Sequence, residues 1–336
     1  MKIYNKAGEL VTLNAKEARL AQINQRKCNA FGYEVNITTL TTVMKAISEQ
    51  KFYHIPFADY VPVRVGEGAW SSNLTTYRSF QLADEFETGI VNTGGNNSRL
   101  ASGDAGVDSL NIKVINWAKS IGWSIFDLEL ASKSGNWDLI TAKEESRKTN
   151  WDLGLQRIAF LGARGDSNIL GLYTQSGITT DTTTITQPIS TMSTAQLKTF
   201  CATVLNVYRA NCSRTAMPSA FILPESDFLG LASPASADFP IRSTASLLEE
   251  TFQVMTGNKG FKLLPCAYGD NVQSGLGVQR YVLLNQDEKS IRMDIPVDYT
   301  NTLANSLDNF SFQNVGYGQF TGVLAYRPQE LYYMQF

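Results

Sequence analysis

Histidine is almost missing from this chain: its 336 residues hold one, His54. A serine or cysteine nucleophile activated by imidazole would have to use it, and its neighbours Tyr53 and Ile55 suit a packed or surface position instead. The four cysteines, Cys28, Cys201, Cys212 and Cys266, show no CxxC spacing and are too sparse for a disulfide framework. They read as reduced thiols of a protein made in a cytoplasm. There is no GxSxG elbow, no phosphate loop ending in GKS or GKT, no HExxH helix and no EF-hand loop. The glycine pairs Gly66/Gly68, Gly275/Gly277 and Gly316/Gly318 lack the rest of a dinucleotide fingerprint. Asp84/Glu85 and Glu249/Glu250 are sequence neighbours whose side chains diverge, which makes them solvated charges. The sequence therefore predicts no catalytic residue, no cofactor-binding residue and no metal site.

Charge of one sign is missing too. With 29 Lys+Arg against 31 Asp+Glu the net charge is −2, whereas a dedicated nucleic-acid binder carries a basic domain. No run approaches the roughly 18 apolar residues that a membrane helix needs, and the start, MKIYNKAGELVTLNAK, has no apolar core of a signal peptide. The expectation is a protein soluble when synthesised, with no membrane partner. No repeat period is visible, which argues against a solenoid or propeller. What is present is a chain 43% hydrophobic, long enough to bury a core in one or two domains.

The longest regular feature runs from Asn136 to Ala163, free of proline, and predicts a helix about 40 Å long. Its middle, Lys143 to Lys148, is charged and reads as solvated, while Trp137, Ile140, Trp151, Leu155 and Ile158 are placed to pack. Such a strut spans distance without defining a pocket. It closes into Gly165-Asp166-Ser167-Asn168-Ile169-Leu170-Gly171-Leu172. Trp117, Trp123, Trp137 and Trp151 crowd this region, and no basic residues interleave with them as base stacking requires. They read as core.

Residues 1–35 form an N-terminal arm in which Lys2, Lys6, Lys16, Arg19, Arg26 and Lys27 outnumber Glu9 and Glu17. It is either a solvated helix capped by Asn14 and Glu17 or a basic arm that meets an acidic partner or phosphates. A short amphipathic helix is expected around Val43, Met44 and Ile47, then a strand through Val61, Val63 and Val65. Residues 66–110 turn polar, with Gly94, Gly95, Asn96, Asn97 and Arg99 at their centre. The flanks have strand character, through Leu110, Ile112 and Val114 and again through Ile121, Trp123 and Ile125. This predicts an extended hairpin, marginal alone in water, that lies against another chain or folds back on its own domain.

Beyond a Thr-rich irregular stretch, helices are expected after Ser193 and after Ser243 or Thr244. MPSAFILPESDFLGLA reads as a buried strand, a proline stop and a short helix. GFKLLPCAYG reads as a strand, and QRYVLLNQDEKSIRMDIPVDY as a hairpin turning at Asn285 to Glu288. The C-terminal segment alternates through Gly322-Val323-Leu324-Ala325-Tyr326 into Arg327-Pro328.

This order of parts resembles the major capsid proteins of tailed double-stranded-DNA bacteriophages, in their encapsulin-like branch. The long helix running into Gly165–Leu172 resembles that family's exit from its backbone helix, and Gly322–Pro328 its final strand. The resemblance implies an α+β, Hong Kong 97-like fold. It divides the chain into an N-terminal arm (1–35), a peripheral domain (36–65, 110–184 and the C-terminal strand 311–336), an extension loop (66–109) and an axial domain (185–310). It also implies copies of the same chain as partners, in pentamers and hexamers of an icosahedral virion shell. Scaffolding, portal and decoration proteins and nonspecific contact with packaged DNA would follow. Capsid proteins of this class often carry a long N-terminal scaffolding segment. Here about 35 residues precede the body, and Met1 favours a separate scaffolding protein. Two other readings remain at this point: an encapsulin-type compartment around a cargo enzyme, and an unrelated soluble enzyme.

Overall fold

The computed structural model describes residues 3–4, 10–11, 51–82, 104–133, 138–163, 165–166, 168–234, 242–308 and 310–336. The helix expected around Val43, Met44 and Ile47, together with Trp137, falls outside them. The chain forms two compact units, one of Met1–Tyr53, Ser120–Lys148 and Thr302–Val315, the other of His54–Lys119, Thr149–Asn301 and Gly316–Phe336.

In chain order the strands are β1 (Ile3–Tyr4), β2 (Leu10–Val11), β3 (Val63–Val65), β4 (Asn73–Leu82), β5 (Asp104–Lys113), β6 (Ile115–Ser124), β7 (Thr179–Asp181) and β8 (Ala220–Pro224). They continue with β9 (Lys262–Cys266), β10 (Arg280–Leu284), β11 (Ile291–Ile295), β12 (Val297–Asn301), β13 (Asn305–Ser306), β14 (Ser311–Phe320), β15 (Val323–Ala325) and β16 (Leu331–Gln335). The helices are α1 (Ile125–Lys133), α2 (Leu139–Leu161), α3 (Thr194–Asn211), α4 (Glu225–Gly230), α5 (Thr244–Thr256) and α6 (Asn271–Ser274).

The second unit is organised by a five-stranded sheet in the order β7-β16-β10-β8-β9. β10 runs antiparallel to both β16 and β8, while β8 and β9 are parallel. Its strands read as unbroken apolar runs because both faces are covered. Alternate residues divide cleanly: Ala220, Ile222, Val282, Leu284, Leu331 and Tyr333 pack with Trp151, Leu155, Ala159 and Phe160 of α2. Phe221, Leu223, Tyr281, Leu283, Tyr332 and Met334 pack instead with Leu197, Phe200, Val204 and Tyr208 of α3 and with Leu248 and Phe252 of α5. Each fully buried aromatic or aliphatic side chain in such layers contributes roughly 1.5–3 kcal/mol. Asp227 of α4 is buried here, and its carboxylate accepts from Ile189 N at 2.8 Å, Ser190 N at 2.9 Å and the Tyr281 hydroxyl at 2.7 Å.

Helix boundaries follow their caps. Ser193 and Gln196 form a reciprocal capping box at α3, and Ser243 accepts from Ser246 N at the start of α5. α2 opens where Asp138 accepts from Thr141 N at 3.1 Å, and stops where Gly162 takes a φ of +76°. The helix is therefore Leu139–Leu161, shorter at both ends than the proline-free run suggested.

Four other expectations are corrected. Ile125 does not extend a strand but begins α1, because Ser124 and Asp127 cap reciprocally: Ser124 N donates to Asp127 Oδ2 at 3.0 Å and Asp127 N to Ser124 Oγ at 3.2 Å. The run after the polar stretch is two strands, β5 and β6, separated at the buried Val114. β10 and β11 are not a hairpin. Asp287 accepts from Ser290 N and Ile291 N at 2.8 and 3.0 Å in a tight turn that delivers β11 to a separate sheet, β15-β11-β3. Finally, the charged middle of α2 is not uniformly wet, since Arg147 is buried.

In the first unit, β13 pairs with Gln313 and Phe312 of β14. Trp123 stacks on Phe312 at 6.5 Å, and Lys143 Nζ donates to Gly122 O at 2.8 Å.

Candidate functional site

Chemistry has little to work with among the described residues. No group of three or more His, Cys, Asp or Glu side chains is placed to hold a metal ion. His54 is exposed. Cys201, Cys212 and Cys266 are free and buried, and burial pushes the Cys201 and Cys266 thiols up to about 12, away from reactivity. Glu250 pairs with Arg242 at 2.9 Å, and Glu249 accepts from Gln253. Gly66, Gly68, Gly275 and Gly277 all take positive φ and serve turns. Gly318 lies under an indole, where an added Cβ would come 2.5 Å from Trp151 Cη2. Trp151 and Trp123 are core, as expected, and Trp117 packs 5.1 Å from Trp151. No described helix is long and apolar enough to cross a membrane.

The distinctive surface is the hairpin. β4 and β5 are antiparallel over ten unbroken register pairs, from Asn73↔Lys113 to Leu82↔Asp104. Pairing thus reaches further into the polar stretch than its composition suggested, because Asp104–Ser109 belong to β5. Alternation gives the hairpin two faces. Leu74, Thr76 and Leu110 are half-buried and Ile112 is buried on one. Thr75, Tyr77, Val107, Ser109 and Asn111 are exposed on the other, Tyr77 at 73% and Val107 at 69%. Thr75 Oγ1 donates across the strands to Asn111 Oδ1 at 2.8 Å.

Its root is tied down by polar contacts. Val114 N donates to Ser72 O at 3.1 Å, one step beyond the register. Lys113 Nζ pairs with Asp166 Oδ2 at 3.2 Å. The Asn168 N–H, and then Lys113, hold the Asp166 carboxyl below its usual range. On the β4 side the chain turns through Gly66 and Gly68, with Gly66 N donating to Ile295 O at 2.9 Å. Arg64 of β3 pairs with Glu67 in that turn and with Glu288 at 3.3 Å.

Trp70 closes the turn at a φ of +65° and is 71% exposed. Its N–H donates to Gln319 Oε1 at 2.8 Å, and its ring lies 5.8 Å from that of Tyr317. The sequence reading passed over Trp70. The Gly66–Gly68 spacing announces a turn, but nothing in the local sequence marks a tryptophan with left-handed backbone.

The two segments that carried the family resemblance meet in space. Leu172 N and Tyr173 N donate back to Ala159 O and Phe160 O of α2 at 2.7 and 2.9 Å, crossing the helix at its exit. Val323 N donates to Leu170 O at 2.9 Å, and Gln175 Nε2 to Val323 O at 2.8 Å. The final-strand motif is thus seated on the helix-exit motif.

Of the residues singled out as sites, Lys2, Lys6, Lys16, Arg19, Arg26 and Lys27 of the arm lie outside the described residues. So do Gly94, Gly95, Asn96, Asn97 and Arg99 of the loop.

Comparison with known proteins agrees with this geometry. The capsid of Myoviridae phage XM1 superposes with a TM-score of 0.71 at 16% identity, covering 88% of this chain and 96% of that one. The capsid of a native GTA particle superposes with a TM-score of 0.58 at 11% identity, covering 97% and 99%. A structure from Mycobacterium phage Ogopogo gives 0.55 at 9% identity, covering 88% and 96%. These likenesses identify the fold as Hong Kong 97-like. No curated protein matches the sequence. The model of the family described as Major capsid protein matches residues 89–335. That match spans well over half of the sequence and includes both contacting motifs, so this chain belongs to the major capsid protein family.

Proposed function

We propose that copies of this chain close into the icosahedral head shell of a tailed phage or prophage, around its double-stranded DNA. The observation that carries this reading is the family match over residues 89–335, and the role it implies is structural. Capsid folds in phage XM1 and in the GTA particle support it. In a closed shell, identical subunits meet through heterologous contacts whose rotation closes, here in pentamers and hexamers. A net charge of −2 lets many copies pack without strong self-repulsion.

Within that shell, residues 66–109 act as the extension loop that lies over a neighbouring subunit. The peripheral domain is 36–65, 110–184 and 311–336, and the axial domain is 185–310. The arm, 1–35, offers Lys2, Lys6, Lys16, Arg19, Arg26 and Lys27 to DNA phosphates by nonspecific attraction. Scaffolding, portal and decoration proteins complete the set of partners. An encapsulin-type compartment is not favoured, because the matching family is that of major capsid proteins.

Negative-stain electron microscopy of the purified protein tests the reading. Shells, tubes or capsomer rings are expected. A featureless monomer at every concentration and salt condition would sink it.

A further inference from the structure

The ten-residue ladder of β4 and β5 is a sheet of two strands only: among the described residues neither strand pairs with a third. Each strand spans roughly 33 Å, and along each outer edge every second backbone N–H and C=O points away from its partner. Such an edge is a template for another strand unless it is blunted by proline, charge, a bulge or a cover. The two edges of this hairpin differ. β5, DAGVDSLNIK, carries Asp104, Asp108, Lys113 and a glycine, Gly106. β4, NLTTYRSFQL, has no proline, no glycine and a single charge, Arg78. The register shows no bulge along it. A long unblunted edge at the rim of a two-stranded sheet leaves backbone groups to be satisfied by something else.

We infer that the outer edge of β4 receives an extended segment from a second copy of this chain, making the hairpin one part of a sheet shared between subunits. The inference rests on the extension-loop reading above and specifies how that loop docks: through backbone hydrogen bonds at the β4 edge. The occupant is a second copy because the family builds its shells from repeated subunits, so a neighbouring copy is always at hand. Backbone pairing asks for no particular partner sequence. A single charge along β4 leaves little to repel an identical chain.

The full chain is compared as soluble protein and as assembled shells by amide hydrogen exchange. In the soluble chain β4 amides are expected to alternate, protected where they face β5 and fast where they face outward. In shells the outward amides are expected to slow by on the order of a hundred-fold. Thr75→Pro and Thr76→Pro then place proline once inward and once outward, as that alternation assigns. The outward variant is expected to keep the parent's melting temperature and lose shell formation, and a proline at an outward position of β5 to form shells normally.

A Tyr77→Cys variant reports the loop itself: labelling of its introduced thiol by maleimide, relative to the parent, is expected to fall in shells. Outward β4 amides that stay fast while that thiol is shielded overturn the edge pairing and leave the loop reading standing. Outward amides that stay fast with the thiol still reactive overturn both.

Discussion

Arg147 and Asn314, 167 residues apart in sequence, are joined twice: Arg147 Nη1 donates to the Asn314 backbone carbonyl at 3.1 Å and to its side-chain Oδ1 at 2.8 Å. The Asn314 amide passes the connection to Glu144 Oε1 at 2.6 Å. Arg147 is 1% exposed and Asn314 5%, so α2 is fastened to β14 by a polar network closed to water. Hydrogen bonds to a charged group contribute about 1.5–3 kcal/mol each. Arg147→Leu also strands the Asn314 oxygen. The variant is expected to lose about 3 kcal/mol in urea unfolding at pH 7, and Asn314→Ala a smaller amount. The two losses should fall short of additive in the double variant. Full additivity would show that the network is not a unit.

The exit of α2 depends on two glycines that interlock. Gly162 has a φ of +76°, and a Cβ there would lie 3.0 Å from Gly171 N. A Cβ on Gly171 would come 2.5 Å from both Leu161 N and Phe160 C. These neighbours are backbone and cannot swing aside. Gly171→Ala is expected to cost more than about 3 kcal/mol, with loss of soluble expression as the cellular readout. Gly154→Ala, inside the same helix with open space at its Cβ position, should instead gain roughly 0.5–1 kcal/mol. Equal effects from the two substitutions would remove the steric account.

Much of this architecture was legible because it rests on local rules. The apolar runs of β8, β10 and β16 announced strands buried on both faces, and Ser193 and Ser243 announced helix starts. The glycines of the helix exit carried the family resemblance without revealing that they face one another. What stayed hidden depends on contacts distant in sequence. Arg147 sits in a run of charges that looks solvated, and only Asn314 makes its burial tolerable. The partition of β10 and β11 into different sheets is set by their partners, β16 and β15, and not by the turn between them. For the candidate site, the hairpin was visible from its polar centre. Its root at Trp70 was not, because no propensity favours a tryptophan with left-handed backbone.

Two carboxylates of the second unit give stability opposite pH dependences. Burial would raise Asp181, but hydrogen bonds from Thr184, Tyr332 and Thr183 overcome it and hold the carboxyl well below its usual range. A depressed folded value stabilises the protein above the unfolded value of about 3.9 and is lost as pH falls through the folded value. Asp181→Asn should therefore destabilise the chain at pH 7, the difference shrinking in strong acid. Asp294 runs the other way: burial raises its carboxyl despite the Arg292 guanidinium 2.9 Å away. The folded state then takes up its proton more readily than the unfolded chain. Relative to Asp294→Asn, the parent is expected to gain stability as pH falls from neutrality through that raised value. Urea titrations of the three proteins at a series of pH values check both slopes, and parallel curves would refute the assignment.

Trp70 separates the stability of the subunit from the stability of the shell. A non-glycine residue in left-handed backbone costs roughly 1–2 kcal/mol, and here the strained residue is an indole 71% exposed. Its ring contact with Tyr317, 5.8 Å between centroids, is mostly open to water and returns little to the single chain. Trp70→Gly keeps the backbone donor to Gln319 and removes the strain. The soluble variant is accordingly expected to melt at or above the parent temperature. Exposed tryptophans are strongly over-represented among the residues that dominate protein interfaces, so the same variant is expected to assemble poorly, with shells fewer or dissociating at lower denaturant. Trp70→Phe, which keeps an aromatic ring, should restore part of the assembly but not the gain in melting temperature. A Trp70→Gly chain that melts lower and assembles as well as the parent would mean that the indole serves the fold of its own subunit and no neighbour.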